Sequence, residues 1–151
     1  MKFNPLAHTG IQLPEICLGT MTFGEQNTQA EAFEQLNYAL DQGLYFWDTA
    51  EMYPVPPKAE TQGATEQIIG NWIGQHGKRE QLFLASKIAG PSFGGSSIRQ
   101  GLTRFNHKDI QQALDGSLKR LQTDYIDLYQ LHWPERHTNF FGHLGFGNQL
   151  A

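Results

Sequence analysis

Four short apolar runs, Ile16–Thr20, Leu44–Asp48, Gln81–Ser86 and Ile126–Leu131, recur along the chain, and a stretch long enough for a helix separates each from the next. This alternation constrains the fold more than any other feature. A strand that is apolar at successive positions is buried on both faces, as happens in a parallel sheet covered by helices. Parallel neighbours also need a long crossover, and an amphipathic helix supplies it. The class is therefore α/β, with about four parallel strands and three helices. Two architectures satisfy it: an open doubly wound sheet, or part of a (β/α)8 barrel.

The intervening segments carry their own signals. Phe3 to Glu15, with a His8-Thr9-Gly10 turn, predicts a β-hairpin ahead of the first apolar run. Thr28 followed by Glu31 is a capping box, and Phe33, Leu36 and Leu40 line one face of the helix it opens, which Gly43 ends. A loop with Pro54, Pro56 and Pro57 leads to a second helix, capped near Thr65 with Glu66 in its first turn and Ile68, Ile69, Trp72 and Ile73 on its apolar face. The third helix is predicted over His107–Gln122, with Ile110, Ala113, Leu114, Ser117, Leu118 and Leu121 facing inward. Gly90 to Asn106 is rich in Gly and Ser and predicts a long exposed loop, a type that is more often functional than idle. Residues after about 135 show no helical or strand period and predict another loop.

Composition narrows the class of function. The 151 residues fit one domain, and 39% hydrophobic residues suffice for a core. The net charge of -4 and the lack of any Lys/Arg run exclude a basic face for nucleic acid or an anionic membrane. No apolar run approaches bilayer length, and the first residues lack the apolar core of a secretory signal. With a single cysteine, Cys17, no internal disulfide forms, and the expected location is the reducing cytoplasm. Cys17 lies between Ile16 and Leu18 and reads as a small core residue.

Chemistry in parallel α/β folds gathers where strands end. Gly19-Thr20-Met21 ends the first run, Asp48 and, shortly after it, Tyr53 end the second, Lys87 follows the third and His132-Trp133-Pro134 the fourth. Taken singly, each has a bland explanation: a loop-capping Asp, a surface Tyr, a solvated Lys, a core His. Together they deliver an acid, a phenol, an amine and an imidazole to one rim. Carbonyl reduction needs such a set, because the oxygen that becomes an alkoxide requires a proton donor. Tyr53 is suited to donate, Lys87 to lower the phenol's pKa, Asp48 to hold Lys87, and His132 to orient the substrate oxygen. The remaining histidines, His8, His76, His107, His137 and His143, have no ligand-like spacing, so no metal site is expected.

Gly19–Gly24, Asp48–Tyr53, Ser86-Lys87 and the run Gln122–Pro134 resemble the aldo-keto reductase family, most closely a bacterial NADP(H)-dependent branch. The resemblance extends from the hairpin to about Pro134 and implies the (β/α)8 barrel. It also implies an oxidoreductase that reduces aldehydes or ketones with NADPH, with Asp48, Tyr53, Lys87 and His132 in the roles above. Gly19, Thr20, Met21 and Asp48 are then expected at the cofactor, and Trp133 at the small carbonyl substrate. A (β/α)8 barrel takes roughly 250 residues, so residues 1–151 correspond to its N-terminal half. In such relatives the later strands supply the side chain that stacks on the nicotinamide and the loop that grips the 2′-phosphate. A half barrel alone is expected to bind NADPH weakly or not at all, to have little activity and to self-associate through exposed edges. The alternatives are a non-enzymatic NADPH-sensing regulatory subunit and an inactive barrel fragment.

Overall fold

A computed structural model of the chain describes residues 1–92 and 97–135. The segment read as a loop after residue 135 lies outside them. Strands β1 (Phe3–Pro5) and β2 (Gln12–Pro14) pair antiparallel as the expected hairpin. Then come β3 (Leu18–Gly19), α1 (Gln29–Asp41), β4 (Phe46–Asp48), α2 (Ala64–His76), β5 (Phe83–Ile88), α3 (His107–Leu121) and β6 (Leu128–Leu131). Short 3-10 turns at Arg79–Gln81 and Ile98–Gly101 sit before β5 and before α3. The four later strands form one parallel sheet in the order β3-β4-β5-β6. Each strand lies beside its successor in sequence. The order never reverses, as a doubly wound sheet requires, and this favours the barrel architecture.

The strands are shorter than the apolar runs that announce them, because only part of each run finds ladder partners on both sides. Alternation decides what each strand residue does. Trp47 of β4 and Leu84 of β5 point to the helices and join Phe23, Leu36, Ile69, Trp72 and Leu121 in the core. Trp47 and Trp72 meet edge to face with centroids 4.8 Å apart, an arrangement worth about 1 kcal/mol beyond the area buried. Both indoles keep a hydrogen-bond partner, Trp47 donating to the Leu44 carbonyl and Trp72 to Asn37 Oδ1.

The capping box at α1 forms as predicted: Thr28 Oγ1 accepts from the Glu31 amide, and Glu31 returns a carboxylate to the Thr28 amide. The second helix corrects the sequence reading. It starts two residues earlier, with Gly63 in the left-handed region at its N-cap and no side-chain cap. Thr65 is instead buried, donating its hydroxyl to the Phe23 carbonyl. Glu66 is fully buried and takes hydrogen bonds from Ser86 Oγ at 2.6 Å and Arg120 Nε at 2.7 Å. It ties α2 to β5 and α3 at once. The two helices cross closely at Gly70, where any Cβ would collide with the Arg120 carbonyl.

Two further expectations change. Cys17 is exposed, not a core residue. Leu18 packs toward the helices, so alternation turns Cys17 to the opposite, uncovered face of the sheet. The segment after β5 is not a free loop either, since Ile98 and Thr103 are buried within it.

Candidate active site

The inner face of the sheet gathers the predicted residues. Asp48 of β4 and Lys87 of β5 face the same side, and Lys87 Nζ donates to Asp48 Oδ2 at 2.6 Å and to the Thr49 carbonyl at 2.8 Å. Gln130 of β6 pairs in register with Lys87 and donates to the other Asp48 oxygen at 3.3 Å. Asp48 is thus held from two strands. Lys87 Nζ lies 5.0 Å from the centre of the Tyr53 ring. The Tyr53 ring in turn meets His132 edge to face, centroids 5.5 Å apart. The His132 amide continues the β5–β6 ladder by donating to the Ile88 carbonyl. All four side chains anticipated for acid–base work converge on one rim.

Their electrostatics differ from the sequence expectation in one respect. Tyr53 is raised above the ordinary tyrosine value, first by burial and then by the negative charge of Asp48. The expectation that Lys87 lowers it does not hold in this chain. The consequence is a phenol firmly protonated at neutral pH, which is the form a proton donor needs. His132 is pulled down to about 4, mainly by burial, with Lys87 adding to the effect and Asp48 opposing it. The imidazole is therefore neutral at physiological pH, with a single N–H to offer, and its buried Nδ1 has no hydrogen-bond partner. Cys17 also feels this centre: partial burial and Asp48 push its thiol up to about 11 against the pull of Lys87. Such a thiol stays protonated and unreactive.

The residues expected at a cofactor lie on the same rim. A Cβ placed at Gly19 would meet nothing within 4 Å, and Met21 is exposed. Both positions are open beside Asp48. Thr20 is the exception. It is fully buried, and its hydroxyl is committed to the Asp48 carbonyl at 2.8 Å, so it shapes the strand end rather than meeting a ligand through its side chain. Trp133 packs on Gly90, donates to the Pro91 carbonyl at 3.1 Å, and walls a cavity of about 230 Å³ with Met52, Gln62, Ala89 and Ile98. No cluster of potential metal ligands occurs among the described residues.

Sequence reasoning missed Gln130 and the buried pair of Glu51 with Arg99. Gln130 could have been found by stepping back two positions from His132, since alternate strand residues share a face. The Glu51–Arg99 pairing spans 48 residues of chain, and no local pattern signals it.

The chain matches the Aldo/keto reductase family over residues 15–147. It is 52% identical over 146 residues to Protein tas of Escherichia coli K12, a match covering 97% of this chain and 42% of that protein. It is 43% identical to the uncharacterized oxidoreductase YrpG of Bacillus subtilis, with 91% of this chain and 42% of that protein covered. Among solved structures, the thermostable aldo-keto reductase Tm1743 in complex with the inhibitor epalrestat superposes with a TM-score of 0.70 at 34% identity, covering 89% of this chain and 44% of that one. AKR11C1 of Bacillus halodurans, in its holo form, gives 0.69 at 31% identity, with 87% and 40% covered. The chain thus spans less than half the length of the relatives it matches. These neighbours are (β/α)8 barrels, and the four-stranded parallel sheet with its helices is part of such a barrel.

Proposed function

The chain belongs to the aldo/keto reductase family of oxidoreductases, and from that premise we propose that it carries the acid–base centre of an NADP(H)-dependent reductase of aldehydes or ketones. The observation that carries this reading is the contact of Tyr53 with both Lys87 and His132, with Lys87 fixed by Asp48, which Gln130 holds in turn.

Bound at the rim beside Gly19, Met21 and Asp48, a dihydronicotinamide would supply the hydride that goes to the carbonyl carbon. The protein's own part is to receive the oxygen. As the C=O bond gives way to a C–O single bond, negative charge builds on that oxygen, which becomes a stronger base than phenolate. Tyr53 then gives up its proton to it. Lys87, held by Asp48 with its ammonium 5.0 Å from the ring centre, faces the phenolate that results. A neutral His132 donates one N–H to the same oxygen and orients it. In alcohol oxidation the proton runs the other way, and Tyr53 is the base. Trp133 and the cavity beside it would receive the remainder of a small carbonyl substrate.

We read residues 1–151 as one unit, the N-terminal part of the barrel, working in the reducing cytoplasm. No helix among the described residues is long and apolar enough to cross a membrane. The test is spectrophotometric: loss of NADPH absorbance with a generic aldehyde, wild type against Tyr53→Phe. Equal rates in the two proteins would remove Tyr53 from the role of proton donor.

A further inference from the structure

Glu51 and Arg99 form an ion pair sealed from solvent. Their side chains are 3% and 7% exposed, and the guanidinium reaches both carboxylate oxygens, at 2.7 and 2.8 Å. Neither residue belongs to the group that meets a substrate oxygen. Stability is a weak reason for such a pair, because replacing a buried ion pair with apolar groups is often neutral. The backbone also works against it. Arg99 and Gln100 both take left-handed conformations, with φ of 46° and 59°, and Gly101 follows at 87°. Side chains other than glycine occupy that region at a cost, and they do so where the surroundings hold them there.

What the strained turn achieves is aim. It brings the Arg99 guanidinium from the segment before α3 back to Glu51, two residues before Tyr53. Glu51 is itself sewn to the end of β5. Its amide donates to the Lys87 carbonyl at 3.2 Å, and its Oε1 accepts from the Ala89 amide at 2.6 Å. Its carbonyl accepts from Gln62 Nε2 at 2.6 Å, which fixes the far side of the same loop. The stretch that presents Tyr53 is therefore fastened to the strand end that presents Lys87. The carboxylate can serve that strand only because Arg99 compensates its buried charge.

We propose that the Glu51–Arg99 pair is a positioning device that sets Tyr53 against Lys87, making the segment before α3 part of the reaction's machinery. The inference rests on the reading of Tyr53 and Lys87 as the reacting pair, yet its main test needs no turnover. With tyrosines labelled at Cζ and the Tyr53 signal assigned through Tyr53→Phe, the phenol can be titrated by NMR in the 151-residue chain. Arg99→Met is expected to displace the Tyr53 signal and move its midpoint by about half a pH unit or more. Arg99→Lys, which keeps the charge but loses the fork, is expected to fall between Met and wild type. Where turnover is measurable, Arg99→Met should lower kcat about tenfold with KM little changed. A purely structural pair would lower the melting temperature and leave the Tyr53 signal and midpoint at their wild-type values, and that result overturns the proposal. If Arg99→Met does not fold, Arg99→Lys alone decides it by the same criterion. A shifted Tyr53 in a chain without reductase activity would refute the reductase reading and uphold the positioning.

Discussion

At the scale of single residues, two shifted pKa values matter most, and each reinforces the side chain's ordinary state at neutral pH. Tyr53 is held protonated by burial and by Asp48, while His132 is held neutral by burial and by Lys87. The histidine gives a sign that can be checked without substrate. Below pH 6.5 the unfolded chain protonates His132, but the folded chain does so only near pH 4. Between those values the unfolded state binds more protons, so stability falls as pH falls. Urea unfolding at pH 7 and pH 5 should show this loss in the wild type, and His132→Asn should reduce it. An unchanged pH dependence in the variant would mean that His132 titrates normally. The four residues proposed for acid–base work are legible in the sequence because Asp48 and Lys87 lie at the ends of β4 and β5, while Tyr53 and His132 follow β4 and β6. The direction of the Tyr53 shift is not. It depends on how deeply the ring is buried and how close Asp48 stands to it, which only the folded chain sets.

At the scale of elements, helix periods and strand runs were readable, and most boundaries fell within a few residues. The exceptions share one cause: tertiary contacts outvoted local preference. Thr65 looked like a cap but is drawn inward to the Phe23 carbonyl. Glu66 looked like an ordinary first-turn acid, yet it is the fully buried junction of α2, α3 and β5. Removing its cation should therefore cost far more than a surface pair would. Arg120→Met is expected to destabilise the fold by about 3 kcal/mol by leaving a buried carboxylate unpaired. The double variant Glu66→Gln/Arg120→Met should recover most of that, since the amide oxygen can still accept from Ser86. Chemical denaturation of the wild type, the double variant and the two single variants, Arg120→Met and Glu66→Gln, measures both effects, and additive losses would contradict the pairing. Gly70→Ala tests the same junction sterically and should cost about 2 kcal/mol, because the helices cannot part to admit a methyl group without losing contacts.

At the scale of the whole molecule, the sheet order and the inner face matter most. Among the described residues β3 and β6 each have one paired neighbour, and Ile16 and Leu131 beside them are exposed. Unpaired strand edges with apolar side chains invite pairing with another chain. Sedimentation at increasing concentration should show self-association, and Leu131→Lys should weaken it; a chain monomeric at all concentrations would count against that. Periodicity alone leaves a barrel and a doubly wound sheet both open, because it reports that a strand is buried but not the order in which strands pair, and it is the family resemblance of the strand-end motifs that points to the barrel. The sequential order β3-β4-β5-β6 and the solved barrels that superpose on it decide the matter. The central claim is that this rim performs acid–base chemistry on a carbonyl through Tyr53. Its most direct test is NADPH oxidation with a generic aldehyde at high cofactor concentration, comparing wild type, Tyr53→Phe and a protein-free control. The account predicts a slow rate above the control for the wild type and a rate at the control for Tyr53→Phe; a wild type at the control, or a Tyr53→Phe variant as fast as the wild type, would contradict it.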